Sequence, residues 1–391
     1  ALANSQFSAT VQGAVIANKN WGLGAGSPNS GIKITSLTVD GNKANQSSPT
    51  GSLHGGIIFC HGYSILTENV EVKNCGNWGI GLWGPTTPET KSIINKVWVF
   101  DSGSGYSDDA GVLISDPGTC KVTVSNSFVW AINGIGVYFE AAPHESKLLA
   151  TNVWSCTKVG VQIAGYAKAI EIADNVIHDN SIDGMWMDEC DRPIVHGNHI
   201  YKNGRHGIAL IARNNTLRGG CISSNVIFNN CQNNATYGDA YGIFLRGETG
   251  VSLLDTVAQN NNIFDNQGTK TQQGGIVESG TTDYSIILGN DVRGNAANPI
   301  VKVGTNTKVA QNLGYVTENS GTATIASGQT SVTVNHGLSY TPSIKDIHVT
   351  PTNNLGNASK FWVSNPTATQ FTINVNTDPG AATATFSWQI K

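Results

Sequence analysis

The sequence predicts an all-β chain in two parts: a parallel β-helix of about ten coils, then a small antiparallel β-sandwich. Three observations predict it. Glycines recur, each opening a short strand pattern; asparagines recur in pairs; and both patterns stop after Gly314. Self-similarity at a fixed period marks a stack of units, none of which buries its apolar face alone.

The repeat is plainest in the middle of the chain. One unit reads Asn175-Val-Ile-His-Asp-Asn180 and then Gly184-Met-Trp-Met; the next reads Asn198-His-Ile-Tyr-Lys-Asn203 and then Gly207-Ile-Ala-Leu. The anchors are Gly56, Gly79, Gly111, Gly136, Gly160, Gly184, Gly207, Gly242 and Gly275, with Pro299 in the same place in the next unit. Their spacings are 23, 32, 25, 24, 24, 23, 35, 33 and 24 residues, a base period near 24 with three coils lengthened by loops. Asparagines five apart occur at 69/74, 175/180, 198/203, 225/230, 261/266 and 290/295. A turn repeated in register stacks such amides, each bonding the next coil, and so satisfies polar groups that are costly when buried alone. Cys75 and Cys156 lie four before their glycines, where Asn180 and Asn203 stand, and are expected inside the same stack.

Behind each glycine the pattern alternates with period two. Val137, Phe139, Met185, Met187, Ile243 and Leu245 then point inward, while Tyr138, Glu140, Trp186, Asp188, Phe244 and Arg246 point outward. No segment sustains a helical period, which excludes helical solenoids. Residues 1–30 read as a lead-in or cap, 31–315 as the helix and 316–391 as the sandwich. The last part holds expected strands at 322–326, 331–335, 346–350, 360–364, 370–376 and 382–390.

Composition bounds the partners. Charged residues are only 13% of the 391, about half the usual quarter, and net charge is −4. Nucleic-acid binding would need a basic stripe and is not expected. No apolar run reaches the roughly 18 residues of a membrane span. The start, Ala1-Leu2-Ala3-Asn4, lacks a charged n-region and an apolar h-region, so no secretory leader is read there. The seven cysteines are odd in number and form no CxxC pair, so neither a zinc site nor a disulfide framework is expected. No metal or cofactor is assigned.

These repeats resemble the pectate-lyase-like superfamily of right-handed parallel β-helices over roughly residues 31–315. The C-terminal segment is similar to small terminal domains of phage tail proteins. Rungs 178–188 and 201–207 resemble mannuronan C5-epimerases. That match implies a catalytic role for Asp188 and substrate contacts for Arg205 and His206. The family's Asp-Pro-His-Glu belongs one coil before Asp188, where this chain reads Gln162-Ile-Ala-Gly165. Pro143-His144-Glu145 resembles part of that motif one coil too early.

Neighbouring coils lie about 4.8 Å apart, so equal offsets from successive glycines are stacked neighbours. On that reading Asp183, Trp186, Asp188, His206, Tyr241 and Arg246 converge on the middle coils. Insertions at 102–110, 231–241 and 267–274 rise along one edge and wall a groove. Two chemistries are open. Glu140 and Asp188 share a column two coils apart, roughly 9.6 Å, at the upper edge of the inverting-glycosidase range of about 6.5–9.5 Å. Asp183 is a further carboxyl. β-Elimination needs a base, an acid and a cation, which His206, Tyr241 and Arg205 or Arg246 supply. Trp186 and Tyr138 offer ring faces to sugars, with Gln162 between them. Each has a plainer reading: turn chemistry for Asp183 before Gly184, a surface place for His206, solvated charge for Asp188 and Glu140, and a pair with Glu248 for Arg246.

The leading expectation is an extracellular or phage-tail polysaccharide depolymerase, a homotrimer and a glycoside hydrolase rather than a lyase. The alternatives are a non-catalytic receptor-binding spike and a uronan lyase or epimerase.

Overall fold

The computed structural model describes residues 13–17, 29–45, 54–60, 62–83, 91–115, 121–140, 144–233, 236 and 239–391. Most of the 1–30 lead-in, Cys120 and Pro143 therefore lie outside the described residues. Two compact units appear, Ala1–Lys308 and Val309–Lys391.

The first unit is a parallel β-helix. Sheet I holds eleven parallel strands: Gly13–Ala17, His54–Cys60, Ile80–Trp83, Ala110–Ser115, Ile135–Glu140, Val161–Ala164, Met185–Asp188, Ile208–Ala212, Tyr241–Gly247, Gly274–Gly280 and Ile300–Val301. Gly13–Ala17 pairs in register with His54–Cys60, so this sheet begins ahead of residue 31. Two further parallel sheets complete each coil. Sheet II includes Lys147–Leu149, Glu171–Ala173 and Ile194–His196; sheet III includes Phe128–Trp130, Asn152–Trp154, Val176–His178 and His199–Tyr201. The corner between them is a single left-handed residue, such as Ala150 (φ 46°), Asp174 (φ 59°) or Ser224 (φ 57°). Gly197 (φ 67°) and Gly289 (φ 66°) take the same corner, where the missing Cβ removes the strain.

The glycine anchors have a different cause. A Cβ on Gly184 would lie 2.7 Å from the Gly207 carbonyl oxygen, and one on Gly207 would lie 2.7 Å from that of Gly242. The same contact recurs from Gly56 onward, ending with Gly275 at 2.4 Å from the Pro299 oxygen. Backbone meets backbone across successive coils, and only glycine permits it. Among the described residues no strand of sheet I follows Ile300–Val301, so Pro299 faces no further coil.

Inside the helix the amides form two ladders. In one, Ser127, Thr151, Asn175, Asn198, Asn225, Asn261 and Asn290 each accept the backbone N–H of the coil before. In the other, Asn180 Nδ2 donates to Asn203 Oδ1 and Asn203 Nδ2 to Asn230 Oδ1, both at 2.9 Å. The expected pairs need correction at both ends. Asn69 and Asn74 are left-handed corner residues (φ 53° each), and Asn74 bonds Asp40 at the surface. Asn266 is exposed; the chain loops out after it, and the slot above Asn230 goes to Gln272, whose longer side chain accepts from Asn230 at 3.2 Å and donates to Asn295. Cys75 and Cys156 are buried as expected, and burial pushes both thiols up to about 12.

The outward side of sheet III carries a ladder that the glycine and asparagine patterns did not reveal. Phe100, Trp130, Trp154, His178, Tyr201, Phe228 and Phe264 stack one per coil, with centroids 4.4–5.9 Å apart and planes within 15°. Each ring covers its neighbours' faces, so the column is half-buried although it lies outside the helix.

The second unit has two three-stranded antiparallel sheets. One orders Asn319–Ile325, Ala384–Ile390 and Ile347–Pro351; the other orders Ser331–Asn335, Gln370–Val375 and Phe361–Ser364. All six expected strands are present within about three residues. Ile325, Ile347, Phe386 and Ile390 from one sheet and Val334, Phe371 and Ile373 from the other form its core.

Candidate functional site

The outer face of sheet I is a grid whose columns follow from pairing. Tyr138 pairs with Gln162 and Gln162 with Trp186, then Ala209 and Phe244. One column over, Ser115 pairs with Glu140, Glu140 with Ala164, and Asp188 with Ile211 and then Arg246. The face is apolar toward both ends. One cluster joins Ile58, Trp78, Ala110, Leu113, Ile135 and Tyr138; the other joins Ala209, Ile211, Phe244 and Val277, with Trp186 and Tyr241 against it. Between them lies a polar patch of Gln162, Glu140 and Asp188, with the small Ala164 separating the carboxylates.

Asp188 is half-buried and pairs with Arg213, whose Nε lies 3.1 Å from one carboxylate oxygen. Its other oxygen is buried without a hydrogen-bond partner. Burial raises its pKa, and Arg213 offsets this only in part. Glu140 accepts from the Ser115 hydroxyl at 2.8 Å and from the Tyr138 hydroxyl at 3.5 Å. Tyr138 differs from expectation. It points outward, yet it is only 6% exposed, because the first apolar cluster covers its ring. Its pKa is raised, first by burial and then by the charges of Glu140, Asp108 and Asp188, so its hydroxyl sits within the field of all three acids.

The opposite edge is more closed. His206 is neither a surface residue nor within reach of solvent: it is 0% exposed, packed on Phe244 at 4.6 Å and Tyr241 at 5.5 Å. Its Nδ1 accepts the Tyr241 backbone N–H at 3.1 Å, and burial holds its pKa well below the usual value. Asp183 is 1% exposed and accepts the His206 backbone N–H at 2.9 Å. Tyr241 is half-buried with its pKa raised by burial. Arg205 pairs with Asp239 at 3.0 Å and lies 5.6 Å over the Trp186 ring. Arg246 pairs with Glu248 at 3.0 Å.

Burial raises the Asp183 carboxyl to about 7, above the ordinary 3.8. The folded state thus keeps a proton that the unfolded chain releases first. The contribution of Asp183 to stability is greatest below the unfolded value and declines as pH rises toward 7. Asp183→Asn keeps the acceptor and removes this slope. Its stability gain over the parent should grow by about 3 kcal/mol between about pH 5 and pH 8 in denaturant melts. An equal gain at both pH values would show that the carboxyl is not protonated on folding.

Other carboxylates are structural. Asp109 is fully buried and accepts the backbone N–H groups of Ser104, Gly105 and Tyr106, so it holds its own loop rather than reaching into the groove. Asp265 fixes the loop at Gln267, Thr271 and Gln272. Glu189 accepts the N–H groups of Arg213 and Asn214, and so sets where Arg213 meets Asp188. Sequence reasoning missed Glu189 and Arg213; their only signal was an acid beside Asp188 and a base at the end of the next coil's strand. His144 and Glu145 lie beyond the sheet I strand, with His144 bridged to Lys168, so they do not complete an epimerase rung. Among the described residues, no cluster of three or more His, Cys, Asp or Glu could hold a metal ion, and no helix is long and apolar enough to cross a membrane.

No curated protein sequence matches the chain. Among solved structures it is similar to the A-module of mannuronan C-5 epimerase AlgE6 of Azotobacter vinelandii, at 18% identity over 73% of this chain and 74% of that one, with a TM-score of 0.56. It is similar to the Dettilon tailspike protein at 14% identity over 93% and 81%, TM-score 0.56. It is also similar to tailspike protein 2 of Escherichia coli O157:H7 bacteriophage CAB120 at 14% identity over 90% and 57%, TM-score 0.53. Such likeness is one of fold. Residues 110–338 match the family described as the right handed beta helix region, which is more than half of the chain. The chain belongs to the right-handed β-helix family.

Proposed function

We propose that the chain grips an extracellular polysaccharide along the outer face of sheet I and cleaves it as a glycoside hydrolase. The observation that carries this reading is the column Glu140–Ala164–Asp188 beside Tyr138–Gln162–Trp186. Two carboxyl-bearing positions stand on either side of Ala164, two coils apart. Asp188, with its raised pKa, serves as general acid toward the glycosidic oxygen. Glu140, held by Ser115 and Tyr138, takes a proton from water as base. Two coils are roughly 9.6 Å of backbone, at the upper edge of the span in which a water fits between the two carboxyls of an inverting enzyme. Trp186, Gln162 and Arg205 supply ring contact and hydrogen bonds to hydroxyls. A structural neighbour whose name states a polysaccharide, mannuronan, supports a glycan chain as the ligand. The tailspike likeness supports an extracellular or virion location.

Digestion of a glycan panel tests the reading. New reducing ends without the absorbance of unsaturated uronates are expected. That absorbance would mean elimination instead, and binding without either product would mean a receptor-binding spike. Trp186→Ala should weaken binding by about 10-fold, with turnover at saturation largely kept; unchanged affinity would move the sugar off this face. We also propose a homotrimer, for which light scattering should give three times the 41.2 kDa chain mass. A mass equal to one chain at micromolar concentration would overturn it.

A further inference from the structure

A depression lies on sheet III, on a different face of the helix from the Glu140–Asp188 column. Thr38, Glu71 and Trp98 are successive members of one column, and Ser36, Leu37 and Asn69 close the remaining sides of a hollow of about 520 Å³. Trp98 is 38% exposed, which is unusual for so large an apolar ring. One side of the indole faces Phe128, near-parallel at 8° with centroids 6.4 Å apart. The other side faces the hollow. It stays open because Thr38 is short and Glu71 swings along its own strand to Lys73, 2.8 Å away. Lys73 in turn lies over Phe100 at 5.8 Å, which fixes it outside the hollow.

From this we infer that the hollow at Trp98 is a binding site for a neutral pyranose, separate from the groove on sheet I. An indole face suits the apolar C–H side of a sugar ring. Two hydroxyls, an amide and a carboxylate around its rim match sugar hydroxyls, which both donate and accept. Among the described residues no basic side chain lines the hollow, and Glu71 disfavours an acidic sugar. Affinity should be on the order of millimolar, as ligand efficiency allows for a single ring.

Fluorotryptophan labelling and fluorine NMR test this on the whole chain. Trp98→Phe assigns one of the nine tryptophan resonances. Methyl glucopyranoside, methyl galactopyranoside and methyl glucuronide are titrated, with glycerol as control. The Trp98 resonance should shift saturably with at least one neutral pyranoside and at least several-fold more weakly with the glucuronide, and Glu71→Gln should remove that difference. No saturable shift, an equal shift with glycerol, or preference for the glucuronide would overturn the inference. Trp186 reports on the sheet I groove in the same spectrum, so failure at one site is read separately from failure at the other.

Discussion

Asp188→Asn should lower turnover on a cleaved glycan by about 10²–10⁴-fold while binding persists. The substitution is nearly isosteric and leaves Trp186 and Gln162 in place. What it removes is the ionisable carboxyl, whose pKa burial raises, and with it the ion pair to Arg213. Structural damage would show itself differently, because loss of the Arg213 pair should cost no more than about 1 kcal/mol at a half-exposed site. The measurement is kcat and KM beside a denaturant melt. Full activity would exclude Asp188 as the acid and place the chemistry on another face.

Asn203→Leu should destabilise the helix by about 3–6 kcal/mol, although Leu is the more apolar residue. Asn203 Oδ1 accepts from both the backbone and the side chain of Asn180, and its Nδ2 serves Asn230 and the Ile177 carbonyl. Removing it leaves two or three buried polar groups without partners, each costing about 1–3 kcal/mol. Asn266→Leu is the matched control. The two asparagines look alike in sequence, but Asn266 is exposed and its Oδ1 accepts a single side-chain hydrogen bond, from Asn229 Nδ2, so its loss should cost about 1 kcal/mol. Equal denaturant midpoints for the two variants would mean that the ladder contributes nothing to stability.

That contrast shows how far the sequence could be read. The glycine column was legible because backbone-to-backbone contact tolerates a single residue type, so the constraint is written in the letters. The amide ladder was legible only where coils are short. A buried acceptor can be Asn, Ser, Thr or Gln, so the ladder passed to Ser127 and Gln272 without a visible signal. Alternation predicted which side chains leave sheet I but not what covers them. Tyr138 points outward and is nonetheless buried, because residues of other coils such as Trp78 and Leu113 cover it, and His206 is buried against Tyr241 and Phe244 of the next coil. The Asp188–Arg213 pair was hidden for a related reason: it depends on a turn that Glu189 holds, and turn geometry carries no period. The aromatic column on sheet III was in the sequence throughout, at the last residue of each strand, but it follows no glycine.

The glycine column also bears on how such a chain changes over generations. Because each anchor meets the same carbonyl one coil on, a segment from one anchor to the next is interchangeable at its seams. Duplicating residues 161–184 would present Gly184 to a copy of the contact that Gly160 already makes. A gain or loss of one such segment lengthens or shortens the rod by about 4.8 Å without creating a new seam. Other changes in length are carried by loops outside the stacks, as in the three lengthened coils. The fold therefore admits descent by whole turns, and the distance between sites on its surface is quantised accordingly.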